Sequence, residues 1–163
     1  MSPRTPAETQ LLDRLLGTDL ALSFAGPGGR WDDADLTTAT PPERIGVPAD
    51  IATVAGVPAA CQFLVDRLQT QQGELAAVGH PEYGSRHHEL IGQPNNLRTQ
   101  NLIKVYVLQA LAQEPRIDSV LSVTVYATAT PPRDTVQIDV SVQLIGGSNP
   151  VNLVVPFSLA VAA

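Results

Sequence analysis

The chain has 163 residues, a formal net charge of -6 and an isoelectric point near 4.8, a length that suits one domain with a sizeable core. Hydrophobic residues make up 44% of it but aromatics only 4%, so the core is built from Val, Leu, Ile and Ala, and few rings are left for stacking on sugars. The basic residues, arginines and the single Lys104, form no run, which argues against a nucleic-acid partner.

No apolar stretch approaches the roughly 20 residues of a membrane-spanning helix, and the polar residues 1–10 give no secretory signal. Cys61 is the one cysteine, which excludes an internal disulfide and a cysteine-built metal site. A soluble protein, cytoplasmic as made and without membrane insertion, is the expectation.

In chain order, residues 6–16 read as a short helix with Leu11, Leu12, Leu15 and Leu16 on one side and Gly17 as its stop. It is either a packing helix or an arm that docks on a neighbouring subunit. Leu20, Leu22 and Phe24 alternate over a short strand. Residues 25–48 are a Gly/Pro/Asp-rich excursion with the only tryptophan, Trp31. Its Asp32-Asp33-Ala34-Asp35 lacks the later glycine and glutamate of a calcium loop and reads as a solvated acidic turn.

Residues 51–56 form a short apolar run suited to an edge strand. A helix follows over 58–72, with Pro58 in its first turn and Gly73 at its end. Cys61, Leu64, Val65 and Leu68 line its apolar face, and Gln62, Asp66, Arg67 and Gln69 face out. Cys61 is read as inert packing. Pro81 and Gly84 bracket a turn in which Tyr83 can bury its ring and keep its hydroxyl polar.

A second helix begins after the Gly92-Gln93-Pro94-Asn95-Asn96 turn, with an apolar stripe of Leu102, Val105, Tyr106, Leu108 and Leu111. Pro115 lacks a backbone N–H and biases Glu114 away from helical dihedrals, so that helix stops there and the chain turns a stiff corner. The corner presents Glu114 and Arg116, which either pair with each other or reach a partner.

Leu121, Val123 and Val125 then alternate with Ser122, Thr124 and Tyr126 in a strand. Val136, Ile138, Val140, Val142 and Leu144 alternate with polar residues in the clearest strand of the chain. A third strand over 151–161 is interrupted by Pro156, which marks an edge or a bulge. The fold class is α+β: helices packed on a small antiparallel sheet, a three-stranded C-terminal meander with short N-terminal strands besides. Residues 1–49 are the helix and the excursion, and 50–163 the main domain, folded together as one unit.

Chemistry finds little purchase. His80, His87 and His88 show no metal-ligand spacing and read as surface or turn histidines, so neither a metal nor a cofactor is expected. No nucleophile elbow or phosphate loop is present. A glycosidase needs two carboxylates across a cleft. Of Glu74, Glu82, Glu89 and Glu114, nothing singles out an acid and a base, and no catalytic residue is assigned.

The text Gly73-Glu74-Leu75, His80-Pro81-Glu82-Tyr83-Gly84-Ser85-Arg86, Glu89-Leu90-Ile91-Gly92, Glu114-Pro115-Arg116-Ile117 and Asn152-Leu153-Val154-Val155-Pro156-Phe157 resembles, in order and over residues 50–159, one family. It is the gene-25-like baseplate wedge family of contractile phage tails, type VI secretion and extracellular contractile injection systems. The resemblance implies a structural, non-enzymatic component present in six copies per baseplate. Its partners would be other wedge proteins and the first sheath ring, with tube or hub proteins as further candidates.

Carried over, Glu114, Pro115 and Arg116, with Tyr83 and Arg86, would hold wedge-partner helices. The strand with Asn152, Leu153, Val154, Val155 and Phe157 would belong to the sheet that starts the sheath. The alternative is a peptidoglycan hydrolase associated with the baseplate, since the family has carried a lysozyme label. The excursion over 25–48 has no counterpart in the family pattern. Enrichment in alanine, proline and arginine leans toward a bacterial injection system.

Overall fold

The computed structural model describes residues 5–24, 35–39, 50–128 and 134–161. Trp31, Asp32, Asp33, Pro41 and Pro42 of the excursion, and the Pro131-Pro132-Arg133 connection, lie outside them. The chain divides into two compact units, residues 1–62 and 63–163, with the division inside the second helix.

In the first unit, helix α1 (Pro6–Leu16) starts on a capping box. Thr5 Oγ1 accepts from the Glu8 amide, and the Glu8 carboxylate accepts from the Thr5 amide. Leu12 and Leu16 are buried, whereas Leu11 and Leu15 are exposed, so the apolar side is narrower than its four leucines suggest.

Three short antiparallel pairs follow: β1 (Thr18–Leu20) with β6 (Thr53–Ala55), β2 (Leu22–Ser23) with β3 (Asp35–Leu36), and β4 (Thr38–Ala39) with β5 (Asp50–Ile51). They meet at a closed ring of backbone hydrogen bonds. The Ala21 N–H donates to Ala52 O, Ala52 to Thr37 O, and Thr37 to Ala21 O, at 2.8–2.9 Å. Gln62, from helix α2 (Val57–Gln69), clamps the first corner by donating to Leu20 O and accepting from the Leu22 amide. Gln62 is therefore buried rather than outward. Its amide replaces the partner that a kinked strand loses.

In the second unit, α2 ends at Gln69, before Gly73, and two 3-10 turns, Glu74–Val78 and Arg86–Leu90, lead to α3 (Leu97–Ala112). Asn96 caps α3 by accepting from the Thr99 amide. The intervening turn is stitched to the end of α2, with Ser85 N–H donating to Thr70 O and Gln72 N–H to Ser85 O. Gly84 sits there at φ +98°, and a Cβ would meet Thr70 O at 2.5 Å. Gly84→Ala is expected to lower stability by about 2 kcal/mol or more in a urea titration, from left-handed strain and backbone overlap together.

The sheet is the order β7 (Ile117–Ala127), β8 (Thr135–Leu144), β9 (Val151–Ser158), antiparallel throughout. The chain is thus α+β with a three-stranded C-terminal meander. On β8 the sequence alternation holds along the whole strand, with Val136, Ile138, Val140, Val142 and Leu144 buried. Ile103, Val107 and Leu111 of α3 are buried as well, and α3 packs along β7.

Three expectations need correction here. The buried face of α3 is Thr99, Ile103, Val107, Ala110 and Leu111, while Val105 and Leu108 are exposed and Leu102 and Tyr106 half-buried. On β7, register shifts between Ile117 and Ser119 and between Val120 and Ser122 turn Leu121 outward, leaving Val123 as the buried residue. A bulge adds one residue, which moves a side chain to the other face. Finally, β9 stops at Ser158: the Leu159 N–H still donates in register to Asp134 O, but its carbonyl accepts from the Gly92 amide instead of from β8.

Candidate functional site

The corner after α3 is stiff, as Pro115 implies, but Glu114 points inward. It is 4% exposed. Its Oε2 accepts from Arg67 Nε and Nη2 at 3.3 and 3.2 Å, and its Oε1 accepts from Arg116 Nη1 at 2.7 Å and from the Arg116 amide at 3.3 Å. Arg67 comes from the last turn of α2 and is buried, which corrects its expected outward position.

Each guanidinium also lies over a ring, Arg67 over Tyr83 at 4.5 Å and Arg116 over Phe63 at 4.0 Å. The result is a five-membered stack: Tyr83, Arg67, Glu114, Arg116, Phe63. Burial pushes the Tyr83 phenol above its ordinary pKa, against the opposing effect of Arg67. Pro115 is exposed, and the Arg116 side chain keeps 30% of its surface.

Of the residues singled out from sequence, the structure brings together Glu114, Arg116 and Tyr83. Arg86 is placed apart. It makes a two-pronged ion pair with Glu89 at 2.8 and 3.0 Å and covers the Tyr106 ring at 4.8 Å. Arg67 and Phe63 were missed. Arg67 had a readable signal, since it falls three residues after Leu64 and seven after Ala60, on the buried side of a helix.

Two open clefts border the corner. One, of about 320 Å³, is lined by residues that include Arg86, Tyr106 and Gln113, and the other, of about 340 Å³, by Arg67, His80, Glu82, Tyr83 and Gln113 among others.

The histidines also differ from expectation. His80 is exposed, but His87 is buried, with Nδ1 2.7 Å from Ser85 Oγ and its ring 4.4 Å from Phe157 in an edge contact. His88 is half-buried and donates from Nε2 to Leu68 O. No group of three His, Cys, Asp or Glu among the described residues could hold a metal ion. Cys61 is half-buried, and burial pushes its thiol pKa up.

On β9, Val155 and Phe157 are core residues, Leu153 is half-buried, and Asn152 and Val154 are exposed. Its outer edge carries no further strand among the described residues.

Residues 60–148, more than half of the chain, match the family described as baseplate wedge protein gp25. The chain belongs to that family. The crystal structure of a Geobacter sulfurreducens protein described as a candidate tail lysozyme is similar at 29% identity and a TM-score of 0.52. The match covers 63% of this chain and 90% of that one. No curated protein matches the sequence. A gp25-family chain is a baseplate component of a phage tail-like structure, and among the described residues no helix is long and apolar enough to cross a membrane.

Proposed function

We propose that this wedge protein is a structural part of a contractile baseplate that grips partner helices at the Glu114-Pro115-Arg116 corner and starts the sheath from its sheet edge. The observation that carries the first half is the stack around Glu114. Its carboxylate is consumed inside the protein, so it acts as a brace that fixes Arg116 and Pro115, and these two, with Tyr83 and Arg86 in the adjoining clefts, meet the partner. A pre-set arginine loses less freedom on docking than a loose one.

For the second half, β9 offers an open edge. Its proline must sit where its missing N–H is not needed by β8, which puts Pro156 on the outward side, and the alternation then points the amides of Asn152, Val154 and Ser158 outward as well. Another chain pairing there would have the 152–154 stretch before the gap at Pro156. The protein would be made in the cytoplasm and be carried in six copies per baseplate, next to wedge, sheath, and tube or hub proteins. Arg116→Ala is expected to lower the yield of sheathed particles, counted by electron microscopy, by about tenfold or more. Normal particle numbers would overturn the corner contact.

The second reading, peptidoglycan hydrolysis, is favoured by the description of the similar Geobacter protein alone. The four glutamates speak against it. Glu74 accepts from the Gln71 amide, Glu82 from Gln72 Nε2, and Glu114 from Arg67 and Arg116. The hydrogen bond from Arg86 holds the Glu89 carboxyl below its ordinary pKa, opposite to the shift a general acid needs. Glu82 is the only carboxylate lining the cleft beside Tyr83, and none lines the other. A non-enzymatic role therefore predicts no release of labelled peptidoglycan by the purified protein. Release that disappears in Glu82→Gln would reverse the assignment.

A further inference from the structure

Helix α3 has two apolar faces, and only one is used. Opposite its buried side lie Leu97, Val105, Leu108 and Ala112, which follow one another at spacings of about eight, three and four residues with Asn101 in the gap, all of them exposed. Leu97 is 78% exposed, Val105 46% and Leu108 36%, over a length of about 22 Å at the helical rise.

The electrostatics of this helix are also unlike those of the chain. The protein carries a formal charge of -6, yet α3 contains no Asp or Glu and presents Arg98 and Lys104, both exposed. Neither makes an ion pair among the described residues.

We propose that this outward stripe of α3 seats an amphipathic helix of another protein whose flanking side chains are acidic. Apolar side chains at three- and four-residue spacing make the ridges that fit the grooves of a second helix, whereas a strand would match them at two-residue spacing. Acidic flanks would meet Arg98 and Lys104, speeding encounter and fixing register. A second copy of this chain fits poorly, because a two-fold axis on the stripe would set the same cations against each other. The proposal deepens the wedge-partner contact and rests on that reading, with Ala112 two residues before Glu114 so that one partner helix could run from the stripe to the corner.

The test places a benzophenone photo-crosslinker at Leu97 or Leu108, with the exposed Leu36 as the control position, in particles assembled in the producing cell, and maps the adducts by mass spectrometry. Adducts from Leu97 and Leu108 are expected on a segment with helical apolar spacing and net negative charge. Arg98→Glu with Lys104→Glu is expected to lower their yield by about tenfold or more, while Lys104→Arg keeps it. Both positions are exposed, and a thermal melt of the purified variants checks that they fold. Adducts on another copy of this chain, or on a segment without acids or helical spacing, would overturn the proposal. So would particles that contain the protein but give no adduct. Particles lacking the protein altogether would remove the wedge reading and this one with it, which separates the two failures.

Discussion

Replacing Glu114 with alanine is expected to destabilise the isolated protein by about 3–5 kcal/mol, read from urea unfolding followed by far-UV circular dichroism. The lost carboxylate serves two guanidiniums, and the greater cost comes from Arg67, whose side chain is only 9% exposed and would be left charged without its counter-ion. Arg116 is 30% exposed and would turn partly to water.

The same reasoning orders a series. Arg67→Ala should cost nearly as much as Glu114→Ala, and Arg116→Ala clearly less. Arg67→Met combined with Glu114→Leu should recover much of the loss, because a pair of apolar residues leaves no buried charge. A Glu114→Ala variant within about 1 kcal/mol of the wild type would mean that Arg67 finds water, and that the corner is not braced as proposed. The series also separates folding from assembly. Arg116→Ala should fold nearly as well as wild type and still fail to give sheathed particles.

What could be read from the sequence follows from which signals are local. The period of two on β8 is repeated by five buried aliphatics and needs no knowledge of the partner strands. Pro115 ends α3 by its own covalent geometry, so the corner was legible, and so was the α+β class. The direction of Glu114 was not legible, because it is set by Arg67, 47 residues earlier. Buried polar residues were missed for the same reason. Gln62 and His87 look like surface residues until the backbone carbonyl or hydroxyl that satisfies each is in place.

On α3 the difficulty is different in kind. With apolar residues on opposite faces, periodicity offers two stripes and cannot say which one the sheet covers. The bulges of β7 are a third case, since Leu121 is in step with Val123 in sequence and out of step with it in the sheet.

Acid should unfold this protein through His87. Burial, with a smaller contribution from the neighbouring His88, lowers its pKa to about 3, so it is neutral in the folded state, whereas the unfolded chain titrates near 6.5. The stability is therefore fully present above about pH 6.5 and is lost as the pH falls toward about 3, because only the unfolded state takes up the proton in that window. At about 1.4 kcal/mol per pH unit the whole window is worth about 5 kcal/mol, and about 3 kcal/mol is already lost at pH 4.5.

Urea titrations at pH 7 and pH 4.5, compared between the wild type and His87→Gln, measure this. The variant starts lower, since it loses the edge contact with Phe157, but its stability should fall by about 3 kcal/mol less between the two pH values. Equal falls would mean that another group carries the acid sensitivity. The location gives the effect its consequence. The His87 ring abuts Phe157, the buried residue next to Pro156 on β9, so protonating it would loosen the strand whose edge is proposed to pair with the sheath. Acidification should accordingly disturb sheath attachment before it disturbs the Glu114 corner, which is held by a separate set of side chains.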